Sequence, residues 1–163
     1  NSCYYDGNNI LGGDYSLGYI LGDEGSGSYF GKRLLRDYFY SLLPEDLHNK
    51  FAKQYAISRT ELIERIYKQD FPNEYLASYL PFFKENASHP YCSYFINFGF
   101  EEFIRIYIYR FPNFKVVDIW FVGSVAFHFQ EQLLKACKET DIHVAGIIQS
   151  PISQLANYHY IRK

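Results

Sequence analysis

The stretch "LGYILGDEGSGSYFGKRLL", residues 17–35, sets the terms for the whole chain. Gly18, Gly22, Gly25 and Gly27 surround the acidic pair Asp23–Glu24. From about Gly25, apolar residues recur at steps of three and four: Phe30, Leu34, Leu35, Tyr38, Phe39 and Leu42. That spacing predicts one face of a helix. A glycine loop feeding a helix lets a ligand approach the backbone and offers it unpaired N–H groups. A plain phosphate cradle would not carry two carboxylates, which repel phosphate. Asp23 and Glu24 therefore point to a polyol, whose hydroxyls donate to carboxylates, or to a hydrated metal ion. The structural alternative is that they only complement the helix dipole.

Upstream, "NSCYYDGNNIL" reads as two short strands around an Asp6-Gly7 turn. Downstream, residues 45–110 read as almost entirely helical. Pro44 ends the first helix and opens the next, with Glu45 and Asp46 near its positive end. Ser58 and Glu61 form a capping box ahead of an inward face of Leu62, Ile63 and Ile66. Asn73 is positioned to cap a further helix, which Pro81 kinks or shortens. Pro90 starts a long helix through Tyr94, Phe95, Phe98, Ile104 and Ile108.

The period then changes. "KVVDIWFVG" has the β-branched and aromatic run of a buried parallel strand. The next segment, to Asp141, reads as a helix with Val125, Phe129, Leu133 and Ala136 or Cys137 inward. "HVAGIIQ" is a second strand, and Ser150-Pro151 opens a closing helix. Strand, helix, strand predicts a right-handed βαβ unit. The first strand ends at Gly123-Ser124, and ligands of open α/β sheets lie at such carboxyl ends. Gly123 would let a nucleotide lie against the backbone, and Ser124 offers a hydroxyl or a cap; an ordinary strand-to-helix turn is the alternative. Neither GxxxxGK[ST] nor GxGxxG is present.

The totals bound the function classes. One domain is the default for 163 residues. A formal charge of −2 gives no pull toward nucleic acid or an anionic membrane. No apolar run spans a bilayer. Cys3, Cys92 and Cys137 are far apart and form no CxxC or Cys/His cluster, which argues against a disulfide scaffold or a zinc site and suits a reducing cytoplasm. His128 reads as packed or solvated, and His89, His143 and His159 have no partners at metal-ligand spacing. Asp118 reads as a paired core carboxylate or a strand-edge residue. Ser26 and Ser28 lack a recognisable base. Glu101–Glu102 reads as a solvated face, and the acceptor pattern Asn86-Ala87-Ser88 as chance. The chain opens "NSCYYDG" and contains no Met, so it reads as part of a larger polypeptide.

The two glycine corners, in this order, resemble one family. "GYILGDEGSGSYFGKRLL" is similar to the Gly-Asp-Glu-Gly-Ser segment of N-acetylglucosamine kinases and the related BadF/BadG-type ATPases. "FVGSVAFHFQEQL" resembles their later nucleotide-side motif, and "IIQSPISQLANYH" the end of bacterial members. The resemblance implies an α/β fold of the ribonuclease H-like, actin-type ATPase class. Residues 1–163 would be its single C-terminal domain, with a large helical insertion in the middle. The N-terminal domain, with the catalytic Asp and a phosphate loop, would lie outside this chain. The activity implied is ATP-dependent phosphorylation of an N-acetylhexosamine with Mg²⁺, in a cytoplasmic protein. Asp23 matches the residue that binds sugar hydroxyls, with Glu24 beside it, and Gly18 lies in the loop lining the sugar pocket. Gly123 and Ser124 match the motif against the adenosine. No residue here matches the catalytic base or a metal ligand, so this half alone would be inactive. Its partners would be the amino sugar, ATP and its own N-terminal domain, with a homodimer left open.

One departure is visible: kinases of this kind carry Trp-Gly where this chain has Leu17-Gly18. Two other functions stay in view. The first is an activator ATPase with an iron–sulfur cluster, disfavoured because Cys92 alone sits in the central region. The second is a non-catalytic sugar or nucleotide sensor of the same fold.

Overall fold

The structure, a computed structural model, describes residues 1–13 and 15–161. It opens with the expected hairpin. Strand β1 (Cys3–Tyr5) pairs antiparallel with β2 (Ile10–Gly13). Asp6 shapes the turn, its Oδ1 accepting the amides of Asn8 and Asn9 at 2.8 and 2.7 Å. Those bonds, the one from Asn9 foremost, hold its carboxyl below the usual range.

A short helix absent from the sequence reading, α1 (Gly18–Leu21), interrupts the glycine stretch. Helix α2 (Gly27–Phe39) follows, with Ser26 as its N-cap; Ser26 Oγ accepts the Tyr29 amide at 3.1 Å. Phe30, Leu34 and Leu35 on its inner face are buried as expected. Leu42 is not, because α2 ends at Phe39 and Ser41 turns the chain at φ +56.

Helices α3 (Glu45–Tyr55), α4 (Arg59–Tyr67), α5 (Pro72–Ala77), α6 (Leu80–Glu85) and α7 (Pro90–Phe103) form the helical middle. Several expectations change here. Ile63 of α4 is exposed, leaving Leu62 and Ile66 to pack on the core. Phe71, not Asn73, holds the cap position of α5, because Pro72 has no amide and fits the first turn. Pro81 divides α5 from α6 by the same logic. Tyr94 and Phe98 stack on each other outside the core, while Cys92, Phe95, Ile96 and Phe100 face inward. A wider, π-helical turn, Ile104–Ile108, extends α7. Asn86, in the acceptor pattern, is buried between the Phe82 carbonyl and Lys50.

Helix α2 reaches the core because Gly31 lacks a side chain. A Cβ there would lie 1.9 Å from the Leu76 carbonyl oxygen of α5. One charge is buried in this layer: Asp37, held by Arg33 Nε at 2.7 Å, Arg36 Nε at 3.1 Å and the Tyr91 hydroxyl at 2.9 Å. Full pairing is what makes a buried carboxylate tolerable.

Strand β3 (Ile119–Val122) pairs in parallel with β4 (Val144–Ile148), as predicted. The connecting segment is two helices rather than one, α8 (Ser124–His128) and α9 (Gln130–Glu139), broken at Phe129. Phe129 is buried against Phe30, and its non-helical backbone, φ −115° and ψ 33°, separates the two helices. Strand β3 is buried on one face only: Phe121 points in, while Trp120 and Val122 are 58% and 56% exposed. Among the described residues the sheet has only two strands, and its outer face at Trp120 and Val122 is exposed. Helix α10 (Ile152–Ile161) ends the described chain. No described helix is long and apolar enough to cross a membrane.

Candidate functional site

Both glycine corners open onto one cavity of about 1170 Å³. Asp23, Glu24, Gly25, Gly123 and Ser124 stand on its wall, with Asp118 and the β1 residues. Gly18 is not on that wall; it starts α1 at φ +72, exposed to solvent.

The first corner is held down from below. Gly25 has φ +72, and a Cβ on it would meet the Gly99 carbonyl at 3.2 Å. The loop therefore lies directly on α7. Asp23 also adopts a left-handed conformation, φ +72, which Asp tolerates better than most residues but which still costs about 1 kcal/mol. Its side chain is positioned by Ser28, whose buried hydroxyl donates to Asp23 Oδ2. Ser28 Oγ in turn lies 2.9 Å from Ser26 Oγ, and the Asp23 carbonyl accepts the Ser26 amide at 3.0 Å. Ser26 and Ser28 thus serve as a cap and as a carboxylate holder.

Glu24 is held from the far side. The Tyr107 hydroxyl donates to Glu24 Oε2 at 2.9 Å. Tyr107 is 1% exposed, and burial, followed by the Glu24 contact, raises its phenol above the ordinary value. The Phe103 ring packs at a tilt against Tyr107, centroids 5.0 Å apart, and against Phe121 of β3 at 6.2 Å. This aromatic chain ties the first corner to the strand that ends in the second.

At the second corner Gly123 turns the chain from β3 into α8 at φ +136. No atom lies within 4 Å of where its Cβ would be, so glycine is required by the backbone angle and not by crowding. The turn presents bare backbone to the cavity. No group of three or more His, Cys, Asp or Glu residues that could hold a metal occurs among the described residues.

The remaining candidates lie off the cavity wall, except Asp118. His128 Nδ1 is 3.3 Å from Lys84 Nζ. His143 Nδ1 pairs with Asp118 Oδ1 at 2.8 Å, both side chains exposed. Glu101 is exposed, and Glu102 pairs with Arg105. Tyr107 and Ser28 are the site residues that sequence reasoning missed. Tyr107 carried no usable signal, lying 83 residues from Glu24. Ser28 was visible five residues beyond Asp23, but as an unsupported nucleophile.

The fold and site define a mixed α/β domain with a carboxylate loop and a strand-end glycine facing one cleft. The chain matches no protein-family model and no curated protein. Among solved structures it superposes, at a TM-score of 0.90 and 32% identity, on the crystal structure of a candidate N-acetylglucosamine kinase from Porphyromonas gingivalis. The match covers 98% of this chain and 56% of that one. This chain therefore shares the fold and a substantial part of the sequence of that protein, over a little more than half of its length.

Proposed function

We propose that this chain is part of an ATP-dependent sugar kinase acting on an N-acetylhexosamine, and that it supplies walls of the sugar and nucleotide sites. The observation that carries this reading is the opening of the Asp23 loop and the Gly123 turn onto one cavity. The likeness to the Porphyromonas gingivalis protein supports it. The actin-like class of fold, the place of this chain as the C-terminal domain and the helical middle as an insertion belong to the same reading.

Asp23, locked in place by Ser28, accepts hydrogen bonds from sugar hydroxyls and sets the angle of the acceptor. Glu24, fixed by Tyr107, lines the same wall and contributes negative charge that favours a neutral or hydroxyl-rich ligand over a phosphate. Gly123 and Ser124 face the adenosine. ATP would supply the phosphoryl group, and a Mg²⁺ bound with it would neutralise the charge of the phosphates. In this reading the base for the sugar hydroxyl comes from the rest of the polypeptide.

The activator reading gains no support from the thiols. Cys92 is fully buried, and burial pushes its thiol up to about 12, the opposite of an accessible thiolate ligand. The test is ADP release by the complete polypeptide with Mg-ATP against hexoses, amino sugars and N-acetyl amino sugars. Release that depends on one N-acetyl amino sugar establishes the kinase. Sugar-independent hydrolysis with bound iron would establish the activator. Ligand binding without turnover would establish a sensor.

A further inference from the structure

Helix α7 begins with a histidine cap. Its N-cap residue is His89, whose backbone is extended at φ −68 and ψ 134. Ser, Thr, Asp and Asn are the ordinary choices at that position. Pro90 follows and has no amide, so the first N–H that needs a partner is that of Tyr91. His89 Nδ1 accepts it at 3.1 Å. A ring nitrogen accepts only while it carries no proton. The bond therefore fixes the tautomer, with Nδ1 bare and the proton on Nε2. Nε2 faces Asp46 Oδ2, in the first turn of α3, at 3.3 Å. One neutral ring thus joins the N-terminal ends of α7 and α3.

Charged groups reach this corner from two helices. From α3, Lys50 binds Asn86 Oδ1 at 2.7 Å, and the Asn86 carbonyl accepts the His89 amide at 2.9 Å. Asp46 and Lys50 also act on the Cys92 thiol, buried in the first turn of α7. From α2, Asp37, itself held by Arg33, accepts the Tyr91 hydroxyl at 2.9 Å. The His89 side chain is 25% exposed, so protons from solvent reach it. A second proton on the ring enters at Nδ1 and points at the Tyr91 N–H. The cap bond is then lost, and a cation stands at the positive end of α7. The contact with Asp46 survives in both forms, but that carboxylate is exposed and its attraction is screened.

We propose that His89 is a pH-sensitive joint in the helical middle: its neutral ring clips α7 to α3, and its protonation releases the first turn of α7 over Cys92. The joint is closed in neutral solution and opens as pH falls through the range in which an imidazole gains its second proton, about pH 8 to 5. It does not depend on what the cavity binds.

The test uses the complete polypeptide with no substrate present. Nitrogen-15 NMR of the labelled histidines should show His89 as the Nε2–H tautomer at about pH 8. A disulfide reagent that works in both acid and neutral solution then reads the opening. Its rate at Cys92 is taken relative to that at exposed Cys3, which cancels the reagent's own pH dependence. Between about pH 8 and pH 5.5 that ratio should rise on the order of tenfold, the worth of an N-cap. In His89→Asn the amide oxygen caps at every pH, and the ratio should stay flat. An Nδ1–H tautomer in neutral solution would overturn the proposal. So would a flat ratio in the natural sequence, or an equal rise in His89→Asn. None of these readouts involves turnover, so the joint can fail while the kinase reading stands, and the reverse.

Discussion

Tyr107 and Glu24 are 83 residues apart in the chain, yet the Tyr107 hydroxyl donates to Glu24 Oε2 at 2.9 Å. The bond joins the π-helical turn beyond α7 to the carboxylate loop, and so fixes the loop's height over the sheet. Tyr107→Phe should cost about 1–3 kcal/mol by leaving a partly buried carboxylate without its donor. Urea unfolding checks the cost. Unchanged stability would mean that water replaces the phenol freely.

The buried phenols give a pH dependence with a definite sign. Tyr29, Tyr55, Tyr79, Tyr91 and Tyr107 all have phenols raised above the ordinary value of 10, chiefly by burial. The folded state therefore holds protons that the unfolded state releases above about pH 10. Their contribution is complete below that pH and is lost as pH climbs through the raised values. Stability measured by denaturant should fall steadily above pH 10. In Glu24→Gln, ultraviolet titration should show one phenol moving back toward the ordinary range.

Asp23→Asn removes the charge that would grip the sugar while retaining a side chain of the same size. In the complete polypeptide, kcat/KM for the sugar should fall about 10- to 100-fold, the worth of a charge-assisted hydrogen bond. Nucleotide affinity should change little, as read by equilibrium binding of a fluorescent ATP analogue. A loss of nucleotide binding equal to the loss of turnover would place Asp23 on the wrong side of the site.

Two glycine replacements separate crowding from backbone strain. Gly31→Ala forces a Cβ onto the Leu76 carbonyl and should destabilise by about 1–3 kcal/mol or prevent folding. Gly123→Ala meets no neighbour but must hold φ +136, at a cost of about 1–3 kcal/mol that the turn can relieve by moving. The first should lower the melting temperature and leave KM values alone. The second should raise KM for ATP more than for sugar. The same pattern in both variants would remove the distinction.

The three thiols should differ sharply in reactivity. Cys3 is exposed, while Cys92 and Cys137 are buried, their thiols pushed up to about 12 and about 11. A thiol reagent at pH 8 should label Cys3 quickly and the other two only after denaturation. Peptide mapping checks it, and early labelling of Cys92 would show that the α7 layer opens.

The sequence by itself determined what depends on local physics. Two short strands around an Asp-Gly turn marked the hairpin, three-and-four spacing marked α2, and β-branched runs marked β3 and β4. Proline placed the break between α5 and α6, where a missing amide acts whatever the surroundings. Asp23, Glu24, Gly123 and Ser124 were legible because carboxylates among glycines, and a glycine at a strand end, carry their chemistry in the residue type. Only the tertiary structure decided the rest. The break at Phe129 and the outward turn of Ile63 follow from what each residue meets, not from its neighbours in sequence. Tyr107 reached Glu24 where the carboxylate loop lies on Gly99 of α7, and Ser28 reached Asp23 beside the Ser26 cap. A helical period shows that a face is apolar, but the surface it meets is supplied by segments far away in the chain.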